Sequence, residues 1–198
     1  MNTKPEQSKK DTLLDVACQL FLERGYDDVS MQQIAESSGM TKAAPYYHFK
    51  NKDDLFIHVY VREMSRVHEG VRRHLEQPGP FRDRVEHALV ALVTESKSDV
   101  ARLFSEFERF MTLTTERDLV GNVADQIDGM QLLLPYFVEA HREGELSRFA
   151  PDQCCYLFLL MVMGHFQWMS VPKFNPAYAR SSEEMAHELT ELFFHGVA

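Results

Sequence analysis

Residues 30–52 constrain the fold of this 198-residue chain more than any other segment, because their pattern specifies two short helices and the turn between them. Ser30 can cap the first helix by accepting a hydrogen bond from a backbone N–H that has no partner inside the helix. Ile34 supplies part of an apolar inner face. Gly39 stands where the chain must turn, and glycine adopts a positive φ without the steric penalty of a Cβ atom. With Thr41 as the cap of the second helix, the segment is predicted to form a helix-turn-helix.

The same residues carry a resemblance to a known family. The segments MQQIAESSGM and TKAAPYYHFKNKDDL hold a glycine, two aromatic residues, a lysine and a leucine in a fixed register, at Gly39, Tyr46, Phe49, Lys52 and Leu55. In this pattern the chain resembles the DNA-binding signature of TetR-family transcriptional regulators. The resemblance is strong over about residues 8–60 and beyond them consists of an all-helical layout.

The resemblance implies an all-α fold in two parts. An N-terminal domain of three helices, residues 1–52, would bind DNA, and a C-terminal helical domain, residues 53–198, would bind an effector and form a dimer. Apolar residues recur at helical spacing along the whole chain, and no alternating pattern typical of a β-strand is present. The longest helix is expected to begin at a cap on Asn51 and to end near Gln77, before the Pro-Gly-Pro breaker at residues 78–80.

A later helical segment is predicted from about Leu119 to Arg142. Pro135 lies inside it and should kink or split it, because proline has no N–H to donate to the preceding turn.

The resemblance also implies which side chains contact DNA. The side chains expected at base edges are Lys42, Ala43, Ala44 and Tyr47, with Gln32 of the preceding helix in addition. The side chains expected at phosphates are Tyr46, His48 and Lys52, and Thr41 at the start of the second helix completes the set. Lysine can donate to guanine, alanine allows close approach to thymine methyl groups, and phenolic hydroxyls can donate to phosphate. The alternative for Tyr46 and Tyr47 is that they only pack the small domain, whereas Phe49 is expected in its core.

Pro45 departs from the family pattern, which usually has an aliphatic residue at this position. Counted from a cap at Thr41, Pro45 is the fourth residue of the second helix, and its missing N–H would have bonded to the Thr41 carbonyl. We expect a slightly distorted first turn rather than a broken helix.

The net charge of −9 is unevenly distributed. Residues 1–52 hold seven Lys or Arg and seven Asp or Glu, so the remaining fourteen basic and twenty-three acidic residues place the whole excess in residues 53–198. A neutral DNA-binding part predicts modest and salt-sensitive non-specific affinity for DNA.

The C-terminal part is rich in aromatic and methionine side chains, and some of them could line a cavity for an apolar or aromatic effector. His141 and His165 could orient such a ligand. The existence of a pocket is implied by the resemblance, and the alternative for each residue is ordinary core packing. The candidates are Phe104, Phe107, Phe110, Met111, Tyr136, Phe137, His141, Phe158, Met161, His165, Phe166 and Trp168.

Residues 153–172 contain no charged side chain, but polar residues interrupt them and Pro172 ends the run, so we expect a buried helix and no membrane span. The resemblance implies a homodimer that forms through the last two helices as a four-helix bundle. Gly164 in the middle of this helix would permit close approach of a partner.

The sequence shows no catalytic motif, no cofactor motif and no close His, Cys, Asp or Glu cluster, so we expect no enzyme activity, no cofactor and no metal site. No signal segment is visible at the N-terminus, which favours the cytoplasm. The preferred hypothesis is a repressor that binds a palindromic operator as a dimer and is released by a small effector. The alternatives are an activator, a regulator controlled by a protein partner, an all-helical enzyme or carrier, and a thiol sensor through Cys154 and Cys155.

Overall fold

The computed structural model describes residues 8–95, 101–113, 128–169 and 181–197, and these residues form eight α-helices and no strand. The helices are α1 (Lys9–Arg24), α2 (Met31–Ser37), α3 (Lys52–Leu75), α4 (Phe81–Glu95), α5 (Ala101–Leu113), α6 (Gly129–Arg142), α7 (Pro151–Met169) and α8 (Ser182–Val197). A 3-10 helix, Pro45–Tyr47, lies between α2 and α3. The predicted all-α class is confirmed.

Side-chain caps fix the ends of the helices around the helix-turn-helix. The backbone N–H of Gln33 donates to the Ser30 hydroxyl at 3.3 Å, and the Gln33 side chain accepts from the Ser30 N–H at 2.7 Å, which completes a capping box. Asn51 caps α3 by accepting from the Asp54 N–H at 2.8 Å. Gly39 has a φ of 66°, the left-handed conformation that the predicted turn requires.

Helix α6 runs without interruption through Pro135, so the proline does not split this segment, and the kink expected as the alternative stays a prediction. The carbonyl that loses its usual donor belongs to Gln131, four residues earlier. Both residues are exposed, so water can bond to that carbonyl. The predicted start near Leu119 lies outside the described residues, and within them α6 begins after a cap on Asp128.

Two hydrophobic cores share the long helix α3. The first core joins α1, α2, the N-terminal part of α3 and α5, with Leu13, Ile34 and Leu55 completely buried. The second core joins the C-terminal end of α3 with α4, α6, α7 and α8. Because α5 packs into the first core, packing crosses the predicted boundary between residues 52 and 53, and that boundary remains a prediction.

Aromatic contacts fasten α5 to the N-terminal part of α3. The ring of Tyr60 stacks on that of Phe107, with centroids 3.6 Å apart and planes 5° from parallel. The ring of Phe56 meets that of Phe110 edge to face at 5.3 Å. Such contacts add to the stabilisation that apolar burial supplies, so α5 and the N-terminal half of α3 form one packed unit.

Candidate nucleic-acid interface and internal cavity

The recognition segment, residues 41–48, is held by hydrogen bonds of the 3-10 type. The Ala44 N–H donates to the Thr41 carbonyl at 2.9 Å, and the Tyr47 N–H donates to the Ala44 carbonyl at 3.2 Å. Pro45 cannot donate to Thr41, so the carbonyl accepts from a nearer residue and the chain winds more tightly. We expected an α-helix with a slightly distorted first turn. That expectation is wrong, because no α-helix forms between α2 and α3.

The recognition segment nevertheless presents the expected side chains to solvent. Tyr47 is 83% exposed and Tyr46 is 58% exposed, so these rings are not packed inside the small domain. Phe49 is 2% exposed and lies in the first core, as predicted. The other expected contacts that are exposed are Gln32, Thr41, Lys42, Ala43 and His48, and Ala44 is half-buried.

A carboxylate connects two of the expected base contacts. The side-chain amide of Gln32 donates to Glu36 Oε1 at 2.8 Å, and Lys42 Nζ lies 4.0 Å from the same oxygen. All three side chains are exposed. The exposed Glu36–Lys42 ion pair contributes little to stability, about 0–1 kcal/mol. What matters more for DNA binding is that Glu36 places a negative charge beside Lys42.

Lys52 does not extend toward solvent as the expected phosphate contact would. Its ammonium donates to the carbonyls of Tyr26 and Asp27, at 2.9 Å and 3.4 Å, and lies 4.2 Å from the centre of the Tyr26 ring. Two carbonyl acceptors and an aromatic face stabilise the cation in this place. In this structure Lys52 ties the start of α3 to the loop between α1 and α2.

Helix α5 holds the other side of that loop. A carboxylate oxygen of Glu106 accepts from the Tyr26 N–H at 3.0 Å. The guanidinium of Arg109 donates to the carboxylates of Asp27, at 2.8 Å, and of Glu106, at 3.3 Å. The guanidinium of Arg102 donates to the Leu22 carbonyl. The loop that precedes the helix-turn-helix is therefore clamped by polar side chains of α5.

A cavity of about 580 Å³ lies between α3, α4, α6 and α7, with Phe104 of α5 in its wall. This volume is within the range of about 300–1,000 Å³ that is usual for small-molecule sites. We call it the central cavity. Helix α3 lines it with residues spaced one to three turns apart, on the same helix that follows the recognition segment: Tyr60, Met64, Val67, His68 and Val71.

The structure brings two of the twelve predicted effector contacts, Phe104 and Phe158, to the central cavity. The others are elsewhere. Phe107 and Met111 line a separate surface depression, and those buried in or packed against the two cores are Phe110, Phe137 and Met161. The polar candidates are Tyr136, whose hydroxyl donates to Glu76 at 3.4 Å, the exposed His141, and His165, whose pKa is lowered by burial. The side chains of Phe166 and Trp168 lie outside the described residues.

The cavity residues of α3 were missed because their spacing is also that of ordinary core residues. The informative exception is His68, a polar residue next to the buried Val67. Burial lowers the pKa of His68, which keeps its ring uncharged at neutral pH. A titratable side chain in an otherwise apolar helix stripe was the available signal.

Cys154 and Cys155 have the burial expected of core residues, with side chains that are completely inaccessible. Burial raises the pKa of both thiols, and raises that of Cys155 to about 12. Because the thiolate is the reactive form, these cysteines are poorly suited to a thiol sensor. Within the described residues, no group of His, Cys, Asp and Glu has the arrangement of a metal site.

Helix α7 has an apolar stripe that is open to solvent. The stripe consists of Tyr156, Leu157, Leu160 and Met163, each between 43% and 55% exposed. On α8, Leu192 is 68% exposed. In the part of the chain that the structure describes, no atom outside the glycine's own helix turn lies within 4 Å of a Cβ placed on Gly164, so another helix could approach closely there. Among the described helices, none is both long enough and apolar enough to cross a membrane.

Comparisons with known proteins identify relatives of the N-terminal residues and of most of the chain. The domain TetR_N of bacterial regulatory proteins, tetR family, matches residues 13–59. The chain is 35% identical over 101 residues to the HTH-type transcriptional regulator AcrR of Shigella flexneri, covering 48% of this chain and 47% of AcrR. The matched part thus spans about half the length of that relative.

Two further comparisons cover most of the chain. It is 28% identical over 184 residues to the HTH-type transcriptional repressor BepR of Brucella suis biovar 1, covering 84% of each protein. Among solved structures, AibR in complex with isovaleryl coenzyme A and operator DNA is similar with a TM-score of 0.68 and 25% identity, over 94% of this chain and 98% of that chain.

Proposed function

We propose that this chain, which belongs to the tetR family of bacterial regulatory proteins, is a homodimeric transcriptional repressor that a small effector releases from its operator. The family is one of DNA-binding regulators rather than enzymes. The observation that carries the proposal is that α3 lines the central cavity and also begins directly after the exposed recognition segment. We place the protein in the cytoplasm, where its operator DNA would lie.

The recognition segment is the part that would enter the major groove. Its exposed side chains combine a cation, small methyl groups and phenol rings, which suit guanine, thymine and phosphate respectively. In a two-fold dimer, two such segments would bind half-sites about 34–36 Å apart on one face of the duplex. The nearly neutral charge of this part of the chain leaves specificity to base contacts and to the spacing of the two segments.

The central cavity is where the effector would act. A ligand that fills it touches α3 over three turns, between Tyr60 and Val71. Such a ligand changes operator affinity only to the extent that it binds one arrangement of α3 more tightly than another. AibR provides a parallel, since its structure was solved with both an acyl coenzyme A and operator DNA.

The dimer would form through the apolar stripe of α7 and the exposed side chain of Leu192 on α8. A two-fold interface must be complementary to itself, and an uncharged stripe meets that requirement without opposing like charges.

The proposal is tested by the effect of Lys42→Ala and Tyr46→Phe on binding to an operator selected from a random duplex library. Loss of a base contact should weaken binding by about 1–3 kcal/mol, and loss of a phosphate hydrogen bond by about 0.5–1.5 kcal/mol. Equilibrium gel-shift titrations measure both. Arg142→Ala is the matched control, because it removes a cation from the exposed end of α6. The contact assignment is refuted if both variants bind as tightly as this control.

A further inference from the structure

The central cavity contains a polar side chain that the protein itself does not satisfy. His68 lies in its wall, and neither nitrogen of the ring makes a hydrogen bond within the part of the chain that the structure describes. Burial lowers the pKa of the ring, so the neutral imidazole offers one N–H donor and one acceptor. The ring is half-buried, so its partner is water or a ligand in the cavity, and a ligand that displaces the water must supply the hydrogen bond itself.

The charges around the cavity restrict what that partner can be. The described lining residues include no Lys or Arg, and the one carboxylate among them belongs to Asp128. An anionic ligand would therefore lose its hydration without gaining a cation, which is costly in an apolar site. The Asp128 carboxylate already accepts from the N–H groups of Met130 and Gln131, at 2.8 Å and 3.2 Å, and it is exposed to solvent. A cationic ligand would have to compete with these bonds.

The two phenols in the wall are placed differently from His68. Tyr156 is 55% exposed and belongs to the apolar stripe of α7 that we propose as the dimer interface. The Tyr60 ring is 3% exposed and is fixed by stacking on Phe107. Tyr60 precedes His68 by eight residues, which is about 12 Å along a helix. His68 thus stands about two turns from Tyr60 on α3, with apolar lining residues of the same helix one turn to either side of it.

We propose that the effector is an uncharged, largely apolar molecule carrying a hydroxyl, phenol or carbonyl group, and that this group hydrogen-bonds to the His68 ring. That this ligand regulates DNA binding rests on the proposed function. The binding site itself is defined by ligand binding to the protein without DNA. Ligands with a carboxylate, a phosphate or an ammonium group should bind to this cavity with lower affinity.

The test compares four fluorescent probes that share one ring system: pyrene, 1-hydroxypyrene, 1-pyrenecarboxylate and 1-pyrenemethylammonium. Each is titrated against the unmodified 198-residue chain and against His68→Phe, which keeps an aromatic ring and removes both nitrogens. The measured quantity is the affinity for 1-hydroxypyrene divided by that for pyrene. His68→Phe should lower this ratio by about threefold to tenfold, the effect of one hydrogen bond, while pyrene itself still binds and so reports that the variant is folded.

Matched variants separate His68 from the other polar groups of the wall. Tyr60→Phe and Tyr156→Phe each remove one hydroxyl and should leave the ratio unchanged. His68→Asn retains a hydrogen-bonding group and should recover part of the ratio. In the unmodified protein, both charged probes should bind more weakly than 1-hydroxypyrene.

The inference is overturned by any of three results. These are an unchanged ratio in His68→Phe, a charged probe that binds as tightly as 1-hydroxypyrene, or no binding of any probe. A separate operator titration with 1-hydroxypyrene present tests regulation. If operator affinity does not change there, the effector part of the proposed function fails, whereas the ratio still decides whether His68 anchors the ligand.

Discussion

Glu36 places a carboxylate on the surface that we expect to meet DNA. Its charge repels phosphate and also holds the cation of Lys42, 4.0 Å away, in an exposed ion pair. Glu36→Gln removes the charge and keeps an acceptor for the Gln32 amide. We expect operator binding to tighten on the order of fivefold at low salt, since one exposed charge interaction contributes about 1 kcal/mol in water. The gain should shrink as salt screens the charge, and gel-shift titrations at several salt concentrations measure it.

The control for this prediction is Glu143→Gln, which changes the net charge equally at the exposed end of α6. It should leave operator affinity unchanged. Weaker binding by Glu36→Gln would contradict the prediction and would instead indicate that the carboxylate accepts a hydrogen bond from a base, as acidic side chains can from cytosine.

At the scale of elements, α5 links the cavity to the loop before the helix-turn-helix. Glu106→Ala would leave the Tyr26 N–H without its acceptor and would leave Asp27 as the one described carboxylate paired with Arg109. We expect the free energy of unfolding to fall by about 1–2 kcal/mol, the cost of a partly buried donor without a partner. Urea denaturation measures the change, and hydrogen exchange at Tyr26 should accelerate.

The comparison variant is Glu23→Ala on α1. Among the described residues, its exposed carboxylate accepts only from the Gln19 amide one turn earlier, at 2.9 Å, so its removal should change stability by less than about 0.5 kcal/mol. Equal stability loss in the two variants would mean that α5 does not clamp the loop.

The caps and turns of these elements were predictable because they depend on neighbouring residues. Ser30, Gly39 and Asn51 act through bonds or dihedral angles within three residues of themselves. The conformation after Thr41 was harder to predict from the sequence. Pro45 removes one hydrogen bond, and this loss shifts the balance between an α-helix and a 3-10 helix, which differ little in energy. The general rule about proline was correct, but the extent of its effect depended on the shortness of the segment.

The partners of Lys52 and the lining of the cavity could not be predicted locally. Lys52 bonds to residues 25 and 26 positions away in the sequence, so its direction depends on how α1 and α3 pack. For the cavity, apolar periodicity identifies the buried face of α3 but does not separate residues in close packing from residues beside a void. Only the positions of α4, α6 and α7 make that distinction.

At the scale of the whole molecule, the apolar stripe of α7 must be covered if the protein binds two half-sites at a fixed spacing. A double variant, Leu157→Glu with Leu192→Glu, would place charges in that interface, and unpaired buried charges cost several kcal/mol. We expect sedimentation velocity to show monomers and operator affinity to fall at least about tenfold, because one segment alone contacts half the site.

Neither leucine lines the central cavity, so pyrene binding should persist. Val138→Glu on α6, where the valine is 49% exposed, adds a charge on another helix and should remain dimeric. A double variant that sediments as a dimer would place the interface elsewhere on the molecule.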